Sequence, residues 1–381
     1  SRGIHRYDTL NKTWLPTWTD SQNMLDDDRI RVFVPDPVSA GLAWVAGEFG
    51  VHQINLRTGV KVMDWNRGSN GQQSIDDTVT HLTISNGIAY LAYTQSQSSF
   101  AVVDRVVISN QTAISALTPT TQFSGQWWEH TIRHIEVVDT SLWVGLSTWQ
   151  GTDGGLVKYD ASTGALVDVI EAVGGVDSVK TLTLPSGEHL ISYNDHMFRH
   201  LDAAGALIAT YDGSQTSVDV RTMKVHGNTV FIATEDGVTR YDHVNRTWLA
   251  TWTSSNVFAG NGEDIRSLEI IDGIMYVSRQ YWYGGAIDLI YPTNGTTLTT
   301  IALTQNGQRG IATDFVKCGS DVYTSINKIQ WDRQSRLRLM SIGLGSTTNI
   351  NLQNSEQTTM SALACDDSDT VLVGSDSGYG V

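Results

Sequence analysis

The chain has 381 residues, 40% of them hydrophobic and only 17% charged, with a formal net charge of −15 at pH 7. That acidity argues against nucleic acid or an anionic membrane surface as partner, because a protein that displaces phosphate counterions presents a basic face. No apolar run is long enough for a transmembrane helix, and two cysteines are too few for a disulfide framework.

Residues 3–19 read Gly-Ile-His-Arg-Tyr-Asp-Thr-Leu-Asn-Lys-Thr-Trp-Leu-Pro-Thr-Trp-Thr, and residues 237–253 return nearly the same series. Self-similarity of this kind marks a repeat architecture. The first residue already lies inside a repeat, so the chain is expected to be a mature or excised piece of a longer protein. Each unit opens with a strand carrying apolar residues at its first and fourth positions, such as Ile30 and Phe33, Val79 and Leu82, or Ile265 and Leu268. A Gly- or Asp-containing turn follows, as at Asn86-Gly87 and Asp272-Gly273. A strongly apolar second strand comes next, then a third ending in Asp or Asn: Asp8, Asn55, Asp104, Asp160, Asp202, Asp242 and Asp332. Asp and Asn fit there because their side chains accept hydrogen bonds from turn amides.

Units of roughly 40 to 55 residues with four strands are propeller blades. First strands begin near Ile30, Val79, Ile132, Val179, Val220, Ile265, Ile311 and Met360. The expectation is an all-β, eight-bladed β-propeller, with seven blades as the alternative because the copies at Ile132 and Ile311 are irregular. One domain spans 1–381, its closing blade built from 359–381 plus 1–19. A closed ring leaves no sheet edge to satisfy, so a monomer is expected.

The segments Gly-Val-Thr-Arg-Tyr-Asp at 237–242 and Tyr-Asp-Ala-Ser-Thr-Gly at 159–164 resemble the repeats of quinoprotein-like and two-component-regulator-type propellers. The resemblance covers essentially the whole chain and implies the fold, while propellers host unrelated activities. Quinoprotein enzymes carry a tryptophan shortly after the Thr-Gly; only Trp65 approximates that place, slightly displaced, and no cofactor is expected.

In a propeller, the loops entering first strands and those joining second to third strands emerge on one face. Trp127, Trp128 and His130 precede a first strand, Trp149 and Gln150 lie in a second-to-third loop, and Tyr281, Trp282 and Tyr283 occupy the equivalent loop three blades on. Such aromatics with amides nearby stack sugar rings; the alternative is burial between blades. Trp14, Trp18, Trp248 and Trp252 recur in register and are assigned to packing. Arg31, Arg133, Lys180, Arg221 and Arg266 form a column one place after the first apolar residue, preceded in several blades by Asp28, Asp77, Asp177, Asp219 or Asp264. They are read as ion pairs locking blades; a cationic funnel for an anionic ligand such as a uronate is the other reading. His81 and His134 follow in the next column, either as hydrogen-bonded structure or as acid/base groups or metal ligands.

Asp26-Asp27-Asp28 and Asp366-Asp367 match no EF-hand and are read as solvated turns. Cys318 and Cys365 fall at nearly equivalent points of consecutive blades and are a disulfide candidate for an extracellular or cell-surface protein, with two buried free thiols as the alternative. Four Asn-x-Thr triplets, at Asn11, Asn110, Asn245 and Asn294, are accounted for by chance in so Asn- and Thr-rich a chain. No P-loop, Gly-x-Ser-x-Gly, His-Glu-x-x-His or Cys-x-x-Cys motif occurs, and no metal is expected. The leading reading is a non-catalytic binding or scaffolding propeller taking a carbohydrate or protein ligand. The alternative is a polysaccharide lyase in which Arg133 neutralises a carboxylate and His134 or Tyr281 is the base.

Overall fold

The computed structural model describes residues 3–18, 30–36, 39, 41–47, 50–66, 78–94, 102–110, 112–119, 130–138, 140–148, 153–173, 179–193, 197–211, 220–258, 264–281, 284–303, 310–328, 338–343, 346–351, 359–366 and 369–376. They form eight four-stranded sheets, the blades of an eight-bladed β-propeller. Blades 1 to 7 occupy 30–66, 78–117, 130–173, 179–211, 222–252, 264–302 and 310–351; blade 8 joins 359–376 to 3–18. The irregular copies that left seven blades open, at Ile132 and Ile311, each complete a four-stranded sheet. Contacts divide the chain into two compact units: residues 1–179 with 360–381, holding blades 8, 1, 2 and 3, and residues 180–359, holding blades 4 to 7.

Blade 8 has the strand order Thr13–Trp18, Gly3–Asp8, Thr370–Asp376, Thr359–Cys365. Gly3–Asp8 runs antiparallel to Thr370–Asp376 with Ile4 opposite Gly374 and Tyr7 opposite Val371. The turn beyond is clamped by Thr9, whose amide and hydroxyl both donate to the Asp369 carbonyl, at 3.1 and 2.6 Å.

The sequence repeat is also a repeat of register. Tyr7 opposes Trp14 and Ile4 opposes Trp18 in blade 8, as Tyr241 opposes Trp248 and Val238 opposes Trp252 in blade 5. Tyr7 meets Trp14 edge-on at 5.1 Å, and Tyr241 meets Trp248 at 5.0 Å. Trp18 and Trp252 are buried, with Arg6 and Arg240 stacked on them at 4.3 and 4.7 Å. Each indole then rests on a glycine in the third-to-fourth-strand turn of the next blade, Gly59 for Trp18 and Gly295 for Trp252. Both glycines have positive φ, +73° and +75°, the left-handed region that other residues adopt at a cost.

Apolar alternation places the cores between successive blades of each unit. Ile4, Trp18 and Leu372 pack on Ile30, Val45 and Ile54 in the first; Phe231, Val238 and Trp252 pack on Ile265, Met275 and Val277 in the second. In blades 8, 1, 3, 4 and 5 the acid or amide closing the third strand does what its chemistry predicts, whereas Asp332 lies outside the described residues and ahead of blade 7's third strand, Arg338–Gly343. Asp8 and Asp242 each accept two turn amides plus the carboxamide N–H of an asparagine three residues on. Asn55, Asp160 and Asp202 cap their turns in the same way. Asp104 is different: it lies buried within the strand Val102–Val107, and Asn110 is the residue that takes the turn amide, of Thr112.

Candidate functional site

The ends of the first strands carry a feature the repeat pattern does not announce. Pairing with the second strand shifts register across Arg31, Thr80, Arg133 and Arg266 in blades 1, 2, 3 and 6. Each shift places an extra residue in the first strand, a β-bulge, and leaves that residue without a partner in the backbone ladder. The cation column read from the sequence is therefore largely a bulge column.

In the first unit, the bulges set His81 and His134 on neighbouring first strands, Thr78–Ser85 and His130–Val138. Their rings meet nearly perpendicular, at 77° with centroids 6.5 Å apart, and both are half-buried. His134 Nε2 lies 3.3 Å from a Glu136 carboxylate oxygen, and His81 Nδ1 lies 3.1 Å from the Thr80 hydroxyl. Among the described residues, no group of three metal-ligating side chains includes either histidine.

In the second unit, the column is neutralised. Arg221 pairs with Glu235 at 2.8 Å and Arg266 with Asp264 at 2.5 Å. Lys224 of blade 5 reaches Glu269 of blade 6 at 2.5 Å, binding two first strands together. Burial pushes the Asp264 carboxyl up, against the pull of Arg266 and Arg221. Lys180 also has a partner.

Residues 279–281 are not in a loop: the second strand of blade 6 runs Ile274–Tyr281. Its extension follows from burial, since the Arg279 guanidinium and the Asp288 carboxylate are paired and nearly inaccessible, with the Thr300 hydroxyl donating to Asp288 at 2.5 Å. The Tyr281 hydroxyl donates to the Gly285 carbonyl at 3.2 Å. His130 likewise opens a strand instead of preceding one, paired with Thr148. Trp127, Trp128, Trp149, Gln150, Trp282 and Tyr283 lie outside the described residues, as do Asp28, Asp77, Asp177 and Asp219. Neither cysteine is free; Cys318 and Cys365 are both disulfide-bonded.

A buried polar network joining blades 4 and 5 escaped the sequence reading. His200, fully buried in the third strand of blade 4, has Nδ1 at 3.1 Å from the Tyr241 hydroxyl of blade 5 and Nε2 at 3.3 Å from Glu188. The hydroxyls of Tyr211 and Tyr241 share a 2.6 Å hydrogen bond, and Arg246 lies 3.7 Å from Glu188. Burial lowers the His200 pKa, with Glu188 opposing it, and raises that of Tyr241. The signal for it was its column: His200 stands one place before Leu201-Asp202, as Arg6, Lys158 and Arg240 stand before Tyr-Asp.

This chain is an eight-bladed β-propeller protein whose described first-strand charges are largely engaged with one another. No family model matches it, and no curated protein does. Among solved structures it is similar to BamB from Moraxella catarrhalis, at 14% identity and a TM-score of 0.56, covering 90% of this chain and 95% of that one. It is also similar to the dihydro-heme d1 dehydrogenase NirN in complex with DHE, at 14% identity and a TM-score of 0.62, covering 90% of this chain and 70% of that one. The quinohemoprotein alcohol dehydrogenase ADHIIG from Pseudomonas putida HK5 matches at 10% identity and a TM-score of 0.57, over 83% of this chain and 66% of that one. At such identities the likeness is one of fold. Among the described residues, no helix is long and apolar enough to cross a membrane.

Proposed function

We propose that this propeller is a binding or scaffolding module of a larger secreted or surface protein, holding a glycan or protein ligand on the loops that enter first strands and join second to third strands. The observation that carries the reading is the pairing of Arg221, Arg266 and Lys224 with Glu235, Asp264 and Glu269. Cations engaged this way brace the sheets and are not poised to neutralise a substrate carboxylate. Recognition is then expected of Trp127, Trp128, His130, Trp149 and Gln150 in one unit and of Tyr281, Trp282 and Tyr283 in the other, each unit read by itself. Disulfide-bonded cysteines support an oxidising, extracytoplasmic compartment.

The test is a glycan array followed by ultraviolet detection of unsaturated products on any polysaccharide bound. Retention of a glycan with no unsaturated product supports the module. Release of unsaturated uronate overturns it in favour of a lyase in which Arg133 neutralises a carboxylate and either His134 or Tyr281 is the base.

A further inference from the structure

Four Asn-x-Thr triplets recur in one structural place, the turn between third and fourth strands, in blades 8, 2, 5 and 6. The four asparagines, Asn11, Asn110, Asn245 and Asn294, are all exposed, as are the four threonines. Their carboxamides are not equivalent. Nδ2 of Asn11 donates to Asp8 at 2.7 Å, and Nδ2 of Asn245 donates to Asp242 at 2.8 Å. In the other two turns the bond runs the opposite way: Oδ1 of Asn110 accepts the Thr112 amide at 3.1 Å, and Oδ1 of Asn294 accepts the Thr296 amide at 2.9 Å. Their Nδ2 atoms donate to no acceptor among the described residues.

We propose that Asn110 and Asn294 are acceptor sites for N-linked glycans, and that Asn11 and Asn245 are disfavoured ones. N-glycosylation uses the carboxamide nitrogen as nucleophile toward the anomeric carbon of a lipid-pyrophosphate-linked oligosaccharide. The new N–C bond forms as the anomeric C–O bond breaks; the lipid pyrophosphate leaves with that electron pair, and the amide proton passes to a base on the transferase. An amide nitrogen anchored to a carboxylate is held back from this attack, whereas one whose oxygen accepts a backbone N–H has its nitrogen unanchored and its N–H made more acidic, which eases passage of the proton to that base. The distinction does not depend on the finished fold. Asp8 and Asp242 lie three residues from the asparagines they bind, so the competing turn forms locally, even in a chain not yet folded. In each sheet these turns lie at the opposite end of the strands from the second-to-third connections, and a glycan there leaves the proposed ligand loops uncovered.

The inference rests on the extracytoplasmic reading, and the experiment separates the two by supplying that location. The chain is secreted from a eukaryotic host that attaches N-glycans, and occupancy is mapped by peptide mass spectrometry with and without endoglycosidase. Asn110 and Asn294 are expected to be occupied several-fold more than Asn11 and Asn245. Asp8→Ala and Asp242→Ala should raise occupancy at Asn11 and Asn245, respectively, several-fold. Bare Asn110 and Asn294, equal occupancy of all four, or a preference for Asn11 and Asn245 overturns the proposal without bearing on ligand binding.

Discussion

The indole of Trp18 lies so close over Gly59 of the next blade that a Cβ added to the glycine would sit 2.5 Å from the indole nitrogen. Gly59 also has φ +73°, so a side chain there meets both strain and a wall. Gly59→Ala is expected to destabilise the protein by about 2–4 kcal/mol, combining a left-handed alanine with an overpacked contact. Gly87→Ala is the control: φ is +74°, but nothing lies within 4 Å of its added Cβ, so only the backbone cost of about 1–2 kcal/mol applies. Urea unfolding of both variants measures the difference.

His200 makes folding sensitive to acid. Its folded pKa lies below the unfolded imidazole value because burial disfavours the charged ring. The neutral form is thus the stabilising one; its contribution is intact above the unfolded value of about 6.5 and is lost as pH falls from there through the depressed folded value. His200→Gln should flatten the dependence of the urea midpoint on pH across that window while lowering stability at neutral pH by about 1–3 kcal/mol. An unchanged slope would remove His200 as the cause.

Arg266→Ala should cost more stability at neutral pH than the double change with Asp264→Asn, because the single change leaves a half-buried carboxylate without its partner. Asp264, already raised by burial, rises further in the single variant. The deficit should therefore be largest at high pH and shrink as pH falls through the raised value, where protonation removes the charge. Thermal unfolding of both variants as a function of pH checks the order and the sign.

Asp160, exposed at its turn, accepts the Thr163 amide and the hydroxyls of Ser162 and Thr163, which hold its pKa down to about 2. The depressed value means that its contribution is present above the unfolded carboxylate value and lost as pH falls toward about 2. Asp160→Asn should be well tolerated, since Asn55 serves the same turn in blade 1, while Asp160→Ala should lower the melting temperature. Carboxyl titration by NMR reads the pKa directly.

Much of the fold was legible because the same contacts recur in the same register. Tyr7 with Trp14, and Trp18 with Gly59, recreate what Tyr241, Trp248, Trp252 and Gly295 do elsewhere, so near-identical residues mark near-identical places. What was hidden depends on partners far apart in the chain or on backbone detail. Lys224 and Glu269, or His200 and Tyr241, come from different blades, and no spacing rule connects them. A bulge at Arg266 leaves the apolar pattern of its strand intact while shifting the register beneath it. Tyr281 read as loop because the repeat places a second-to-third-strand connection there, whereas the buried pair of Arg279 and Asp288 carries the strand through to it.

The face on which a ligand is expected follows from closure of blade 8 by both ends of the chain, and amide hydrogen exchange of residues 3–8 tests that most directly. A two-stranded hairpin of residues 3–18 alone is marginal in water, so strong protection requires Thr370–Asp376 alongside it. Amides of Gly3–Asp8 should exchange as slowly as those of the equivalent strand Gly237–Asp242. Exchange at the rate of an exposed turn would contradict the shared blade.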